Sequence, residues 1–205
     1  YPGGVELVVN SSEGMSGHSI TNGERLWFIN ETNRFPIPVA TQKDGIIFAS
    51  RGYRSGPYMA IKPGGKGDVA ASHVVWKVET GAPYISSIIE HNGLIYMMGD
   101  VGVANVVDAK NGQRVWQERL GGVYSASPIA GDGKVYFFSH APSKNNTRQE
   151  HLFCLDAETG KEAWHKTFDS RATKVTQSGT PAVVAGHVLV LGAARLARCL
   201  DAETG

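Results

Sequence analysis

The amino-acid sequence predicts an all-β fold made of repeated four-stranded antiparallel sheets, and three observations carry that reading. Twenty-five glycines stand among 205 residues with little helical periodicity between them, a turn-rich composition. The seven residues CLDAETG occur at 154–160 and again at 199–205, so one structural unit is spelled out more than once. The four tryptophans, Trp27, Trp76, Trp116 and Trp164, are separated by 49, 40 and 48 residues, a spacing of one supersecondary unit each.

The elements follow in chain order from this unit: strand, Gly turn, strand, loop, strand, a DAxxG turn, and a short strand carrying the tryptophan. In the turn, the Asp accepts backbone N–H bonds, the Gly supplies a left-handed backbone, and the Trp enters an interface between sheets. Residues 1–29 read as the last three strands of one unit, in which HSITNGERLW keeps Gly23 and Trp27 and puts Ser19 in the Asp place. Residues 35–77 form the second unit, where Lys62 stands at the Asp position but 14 residues before Trp76 instead of eight. The gain of six residues lies in KPGGKGDVAASH, which reads as a solvated, glycine-rich excursion. In the third unit, 84–117, VVDAKNGQRVW supplies Asp108, Gly112 and Trp116, and strand alternation puts Arg114 on the same face as Trp116. The fourth, 124–166, supplies Asp156, Gly160 and Trp164, and its HAPSKNNTRQEH stretch reads as a polar surface loop. Residues 178–205 read as the first three strands of a fifth unit.

Four-stranded units at a period of 40 to 50 residues predict the blades of a β-propeller, each sheet burying both faces against its neighbours. A β-sandwich is the alternative architecture. The two terminal units each supply the second and third strands, so they do not merge into one blade. We therefore expect a partial ring, with missing blades in the same polypeptide.

The copies LDAETGKEAW and VDAKNGQRVW resemble the PQQ-type, quinoprotein-like propeller repeat, whose tryptophan docks onto the next blade. The stretches GYRSGPYMAIKPGGKGD and HVVWKVETGAPYISS resemble bacterial PQQ-binding-like repeat proteins. Docking roles therefore fall on the four tryptophans with Gly23, Gly112, Gly160, Asp108 and Asp156. The resemblance implies a BamB-like, non-catalytic binding or scaffold module of the bacterial envelope, periplasmic or secreted, with a protein or polysaccharide partner. A second implication is part of a PQQ-dependent dehydrogenase, with the quinone beside Ca²⁺; a third is a sensory domain of a signalling protein. Dehydrogenases of this type clamp the quinone between a Trp and a disulfide of adjacent cysteines. No adjacent pair exists here, so no cofactor is expected.

Other classes of function find little support. Twenty basic and nineteen acidic side chains leave a net charge of +1, which does not indicate a nucleic-acid partner. No apolar run reaches the roughly 18 residues of a transmembrane helix. Motifs of the HExxH, CxxC, GxSxG and P-loop kinds are absent. Seven histidines lack metal-ligand spacing, and His165, which follows a docking tryptophan, repeats nowhere else. Cys154 and Cys199 hold the same place in two copies, which sets them a blade apart as small buried hydrophobes without a bond. One candidate interaction loop remains, in the second unit, where Arg51, Arg54, Lys62 and Lys66 combine with Tyr53 and Tyr58.

Overall fold

Short strands that are apolar on both faces must be covered on both sides, and the chain meets that demand by stacking sheets in sequence order. The structure, a computed structural model, describes residues 4–142, 148–170, 179–192 and 196–205. The first sheet holds β1 (Glu6–Asn10), β2 (Gly14–Ser19) and β3 (Arg25–Asn30). The second holds β4 (Thr41–Lys43), β5 (Ile46–Ser50) and β6 (Tyr58–Ile61). After a two-residue β7 (Gly67–Asp68) and a one-turn helix α1 (Ala70–His73), β8 (Val74–Val78) completes it. The third is β9 (Ile89–His91), β10 (Leu94–Gly99), β11 (Val103–Asp108) and β12 (Arg114–Arg119). The fourth is β13 (Ile129–Gly131), β14 (Lys134–Pro142), β15 (Arg148–Asp156) and β16 (Glu162–Ser170), and the fifth is β17 (Ala182–Val184), β18 (His187–Leu191) and β19 (Ala197–Asp201). Strands within each sheet pair antiparallel in chain order, apart from β7, and the architecture is that of a β-propeller.

Alternation along each strand sends neighbours into different interfaces. In β11, Val106 packs toward the fourth sheet with Phe137 and Leu155, whereas Val107 packs toward the second with Phe48 and Ala60. The first interface gathers Met15, Trp27 and Ile29 with Ile47, Met59 and Ile61, and the last gathers Tyr136, Cys154 and Trp164 with Val188 and Val190.

Two belts of hydrogen bonds join successive sheets. On the outer belt, Trp76 Nε1–H donates to Ala109 O at 2.9 Å, Trp116 to Ala157 O at 2.9 Å, and Trp164 to Ala202 O at 3.1 Å. Each acceptor is the Ala of the next sheet's DAxxG turn. Two of these carbonyls accept a second bond, from Tyr96 to Ala157 and from Tyr136 to Ala202, both at 3.3 Å. The turn's own Ala N–H donates back to the preceding hairpin, as Ala157 does to Gly133 O at 2.9 Å, so a carbonyl on a rigid turn receives the indole. On the inner belt, Val39 N donates to Ser87 Oγ, Ser87 N to Ser127 Oγ, and Ser127 N to Thr180 Oγ1, at 3.0, 2.9 and 3.2 Å.

Every tryptophan strand carries the same irregularity. Trp116 pairs with Val106 while Arg114 pairs with Val107, leaving Val115 as an extra residue, and the same shift precedes Trp27, Trp76 and Trp164. The bulge corrects the placement of Arg114: alternation fails across it, and Arg114 lies on the second-sheet side, opposite Trp116.

Three further expectations change. The stretch KPGGKGDVAASH is mostly exposed, yet it is more than a solvated excursion: β7 adds to the outer edge of β3 in parallel, pairing Trp27 with Gly67, and Val69 is buried against Trp27. Lys62 N still donates to His73 O at 2.8 Å, the bond that Asp108 N makes to Gln113 O and Asp156 N to Lys161 O. The unit therefore keeps its closing bond and spends the extra residues covering a tryptophan. In HAPSKNNTRQEH, β14 and β15 extend the hairpin to the Pro142–Arg148 pair, and 143–147 lie outside the described residues. Both cysteines are free, but Cys199 is exposed on the fifth sheet while Cys154 is buried, because no described sheet covers the far side of the fifth.

Candidate functional site

The sequence-predicted residues separate into a docking set and a groove set. In the docking set, Gly112 N donates to Asp108 O at 2.8 Å, Gly160 N to Asp156 O at 2.9 Å and Gly23 N to Ser19 O at 2.9 Å, closing equivalent turns. Gly112 and Gly160 also form the floor for the preceding indole: a Cβ on Gly112 would stand 2.8 Å from Trp76 Cε3, and one on Gly160 2.7 Å from Trp116 Cδ2. Their φ values of +71° and +73° are left-handed, so both constraints call for glycine. The Asp156 carboxylate accepts from the Thr159 hydroxyl at 2.7 Å and the Thr159 amide at 2.8 Å, which holds its pKa below the usual carboxylate range. Trp27 differs from the other three, since its Nε1–H bonds Glu6 of its own sheet. Sequence reasoning missed the Ala carbonyl of each turn as the acceptor, and Tyr96 and Tyr136 as its second donors.

The candidate interaction loop divides between two ends of the second sheet. Lys62 and Lys66 are exposed beyond the last residue of β6, in the turn next to the first sheet. Tyr53, Arg54 and Tyr58 precede or begin β6, and line a groove of about 710 Å³ between the second and third sheets. Arg51 stays behind them as a strut, its Nη1 donating to Thr32 O and its Nη2 to Tyr53 O, both at 3.1 Å.

This loop is held by its surroundings in an unfavourable backbone. Arg54 and Ser55 both have left-handed φ, +61° and +51°, a conformation that costs a non-glycine residue and clusters at functional sites. Gly81 N and Ala82 N donate to Ser55 O and Gly56 O at 3.2 Å, tying the loop to the segment that crosses to the third sheet. Tyr53 packs edge-on against Phe35 and tilted against Tyr84, with centroids 5.2 Å apart in each pair, and the Arg54 guanidinium lies 5.3 Å above the Tyr53 ring.

The third sheet supplies the opposite wall: Asn105 and Gln117 on paired positions of β11 and β12, and Arg114, turned into the groove by the bulge. Burial pushes the Tyr58 phenol above its ordinary pKa, opposed by the Asn105 side chain and the Arg114 charge. Asn105 Oδ1 is buried without a hydrogen-bond donor. Asp100 marks the rim, its carboxylate accepting from Ile85 N at 3.3 Å, and burial raises its pKa against that amide bond. Two guanidinium groups and a ring ledge therefore face one open groove, with the Asn105 amide buried behind them. Such a surface can pair with an anionic or acceptor group. No group of three or more His, Cys, Asp or Glu that could hold a metal stands among the described residues.

Comparison with known proteins agrees with this architecture. The chain is 28% identical over 132 residues to quinohemoprotein alcohol dehydrogenase of Comamonas testosteroni, a match covering 56% of this chain and 18% of that one. Against quinoprotein ethanol dehydrogenase of Pseudomonas putida it is 29% identical over 120 residues, covering 52% and 18%. The chain thus spans less than a fifth of the length of these relatives. Among solved structures, BamB from Moraxella catarrhalis superimposes with a TM-score of 0.61 at 19% identity, over 96% of this chain and 57% of that one, a likeness of fold. Residues 100–205, just over half of the chain, match the model of the family Outer membrane protein assembly factor BamB, and the chain belongs to that family.

Proposed function

We propose that this chain is part of a non-catalytic β-propeller binding module of the bacterial cell envelope, periplasmic or secreted, which presents the groove between its second and third sheets to a protein or polysaccharide partner. The groove's composition carries the reading. Arg54, Arg114 and Gln117 offer donors, and Tyr53 and Tyr84 form an apolar ledge, a combination suited to backbone carbonyls or sugar hydroxyls. Family membership and the match to an outer-membrane assembly factor support the envelope setting.

Likeness to quinoprotein dehydrogenases favours a second reading, a portion of a PQQ enzyme. The described residues do not fit the quinone clamp which that reading implies. Three indoles have their N–H bonded to an alanine carbonyl and a face against the glycine of the next turn, and Trp27 is fully buried. The cysteines sit on different sheets, one buried and one exposed.

Two measurements on the full-length protein test the proposal. A photo-crosslinking side chain at Gln117 is expected to trap an envelope protein or glycan in living cells, and one at Lys110, in the turn that follows β11, is expected to trap none. Incubation with PQQ and Ca²⁺ is expected to give no stoichiometric complex and no dye-linked alcohol oxidation. One-to-one PQQ binding with turnover would overturn the scaffold reading.

A further inference from the structure

The fourth sheet carries a pair of imidazoles that the repeat does not require. His151 on β15 and His165 on β16 share the face turned toward the third sheet, and His151 Nδ1 lies 3.1 Å from His165 Nε2. Thr167 Oγ1 is 3.3 Å from the first nitrogen and 3.5 Å from the second, so three hydrogen-bonding atoms converge on one point. Phe153 stacks on the His165 ring, with centroids 4.0 Å and planes 11° apart, which fixes the orientation of that imidazole. The point opens on a cleft of about 220 Å³ whose other wall is formed by Leu120, Gly121 and Gly122, enough room for an ion and its waters.

The same places in the third sheet show what packing alone demands. Gln117 follows Trp116 as His165 follows Trp164; Gln117 pairs with Asn105 as His165 pairs with Phe153; and Val103 pairs with Arg119 as His151 pairs with Thr167. The third sheet keeps its docked tryptophan with no imidazole at either position, so the histidines are specific to the fourth.

We propose that His151 and His165 bind a divalent transition-metal ion of the imidazole-preferring kind, such as Zn²⁺. Zinc–nitrogen bonds of about 2.0–2.1 Å that span this gap meet at an angle of about 100°, near the tetrahedral value. Neutral imidazole donors select Zn²⁺, Ni²⁺ or Cu²⁺ over Ca²⁺ and Mg²⁺, which take oxygen. Without metal, one ring donates its N–H to the other. On binding, that proton moves to the far nitrogen of its own ring, leaving both facing lone pairs for the ion with no net proton released. Water completes the coordination, with the Thr167 hydroxyl placed to hydrogen-bond to it.

Calorimetric titration of the full chain with zinc chloride tests the assignment. One ion per chain is expected, with affinity falling by about tenfold or more in His151→Gln and in His165→Gln. It should be unchanged in His187→Gln, on β18 of the fifth sheet. Long-range proton–nitrogen NMR of the unaltered chain gives a second reading that needs no substitution: Zn²⁺ should shift His151 Nδ1 and His165 Nε2. No saturable binding, binding that survives both substitutions, or Zn²⁺ that leaves both nitrogens in place would overturn the site.

Discussion

At the scale of single residues, the repeat depends on glycines that do two different things. Gly133 and Gly160 share φ = +73°, so an alanine at either meets the same left-handed backbone cost, about 1–2 kcal/mol. Their surroundings differ. A Cβ on Gly133 meets nothing within 4 Å, whereas one on Gly160 stands 2.7 Å from Trp116 Cδ2. Trp116 cannot retreat without losing its bond to Ala157 O, in the same turn. Gly160→Ala is therefore expected to cost about 1–3 kcal/mol more than Gly133→Ala, the usual range for overpacking a core. Urea unfolding of the two variants checks this. Equal losses would mean that the indole does not rest on the turn, and that the glycine is kept for its backbone alone.

At the scale of elements, the β-bulge before each tryptophan decides which side chain enters which interface. Without it, Arg114 and Trp116 would share a face; with it, the indole docks on the fourth sheet and the guanidinium enters the groove beside the second. Trp116→Ala is expected to cost about 3–5 kcal/mol, since it empties a buried site and leaves the Ala157 carbonyl with one donor fewer. Arg114→Ala, at an exposed position, is expected to cost less than about 1 kcal/mol. Similar small losses for both would remove the docking role from Trp116. The bulge also shows where legibility ended. Trp, Gly and Asp spacing made the sheets and their order readable, because those residues meet steric demands that few others can. A bulge has no residue signature: Leu26, Val75, Val115 and Ala163 at the extra position are ordinary strand residues. For the same reason the groove was half legible. Tyr53, Arg54 and Tyr58 stood out as a basic, aromatic run within one unit, but Asn105, Arg114 and Gln117 join them only through pairing across two sheets. The lysines of that run, Lys62 and Lys66, are near in sequence yet lie beyond the far end of β6.

At the scale of the whole molecule, from the second sheet onward each sheet is fastened to the next at two radii, by inner Ser and Thr hydroxyls and outer indoles, and both belts run forward through the fifth sheet. Among the described residues, that sheet is covered on one side only. In β18, Val188 and Val190 are 0% and 3% exposed against the fourth sheet, while Leu189 and Leu191 on the other face are 41% and 53% exposed. An alternation of apolar residues on both faces is the pattern of a strand meant to be covered twice. The expected further blades of the polypeptide would supply the second cover, and the two faces give the test. In the 205-residue chain, Val188→Ala is expected to cost about 1–3 kcal/mol through a cavity, and Leu189→Gln to stay within about 0.5 kcal/mol. In a polypeptide carrying such further blades, Leu189→Gln should become as damaging as Val188→Ala, because a polar amide would then be buried without a partner. Parallel urea unfolding of both lengths, with sedimentation to show that each is monomeric, gives the comparison. If Leu189→Gln remains neutral in the longer polypeptide, no blade packs on that face, and the partial-ring reading fails.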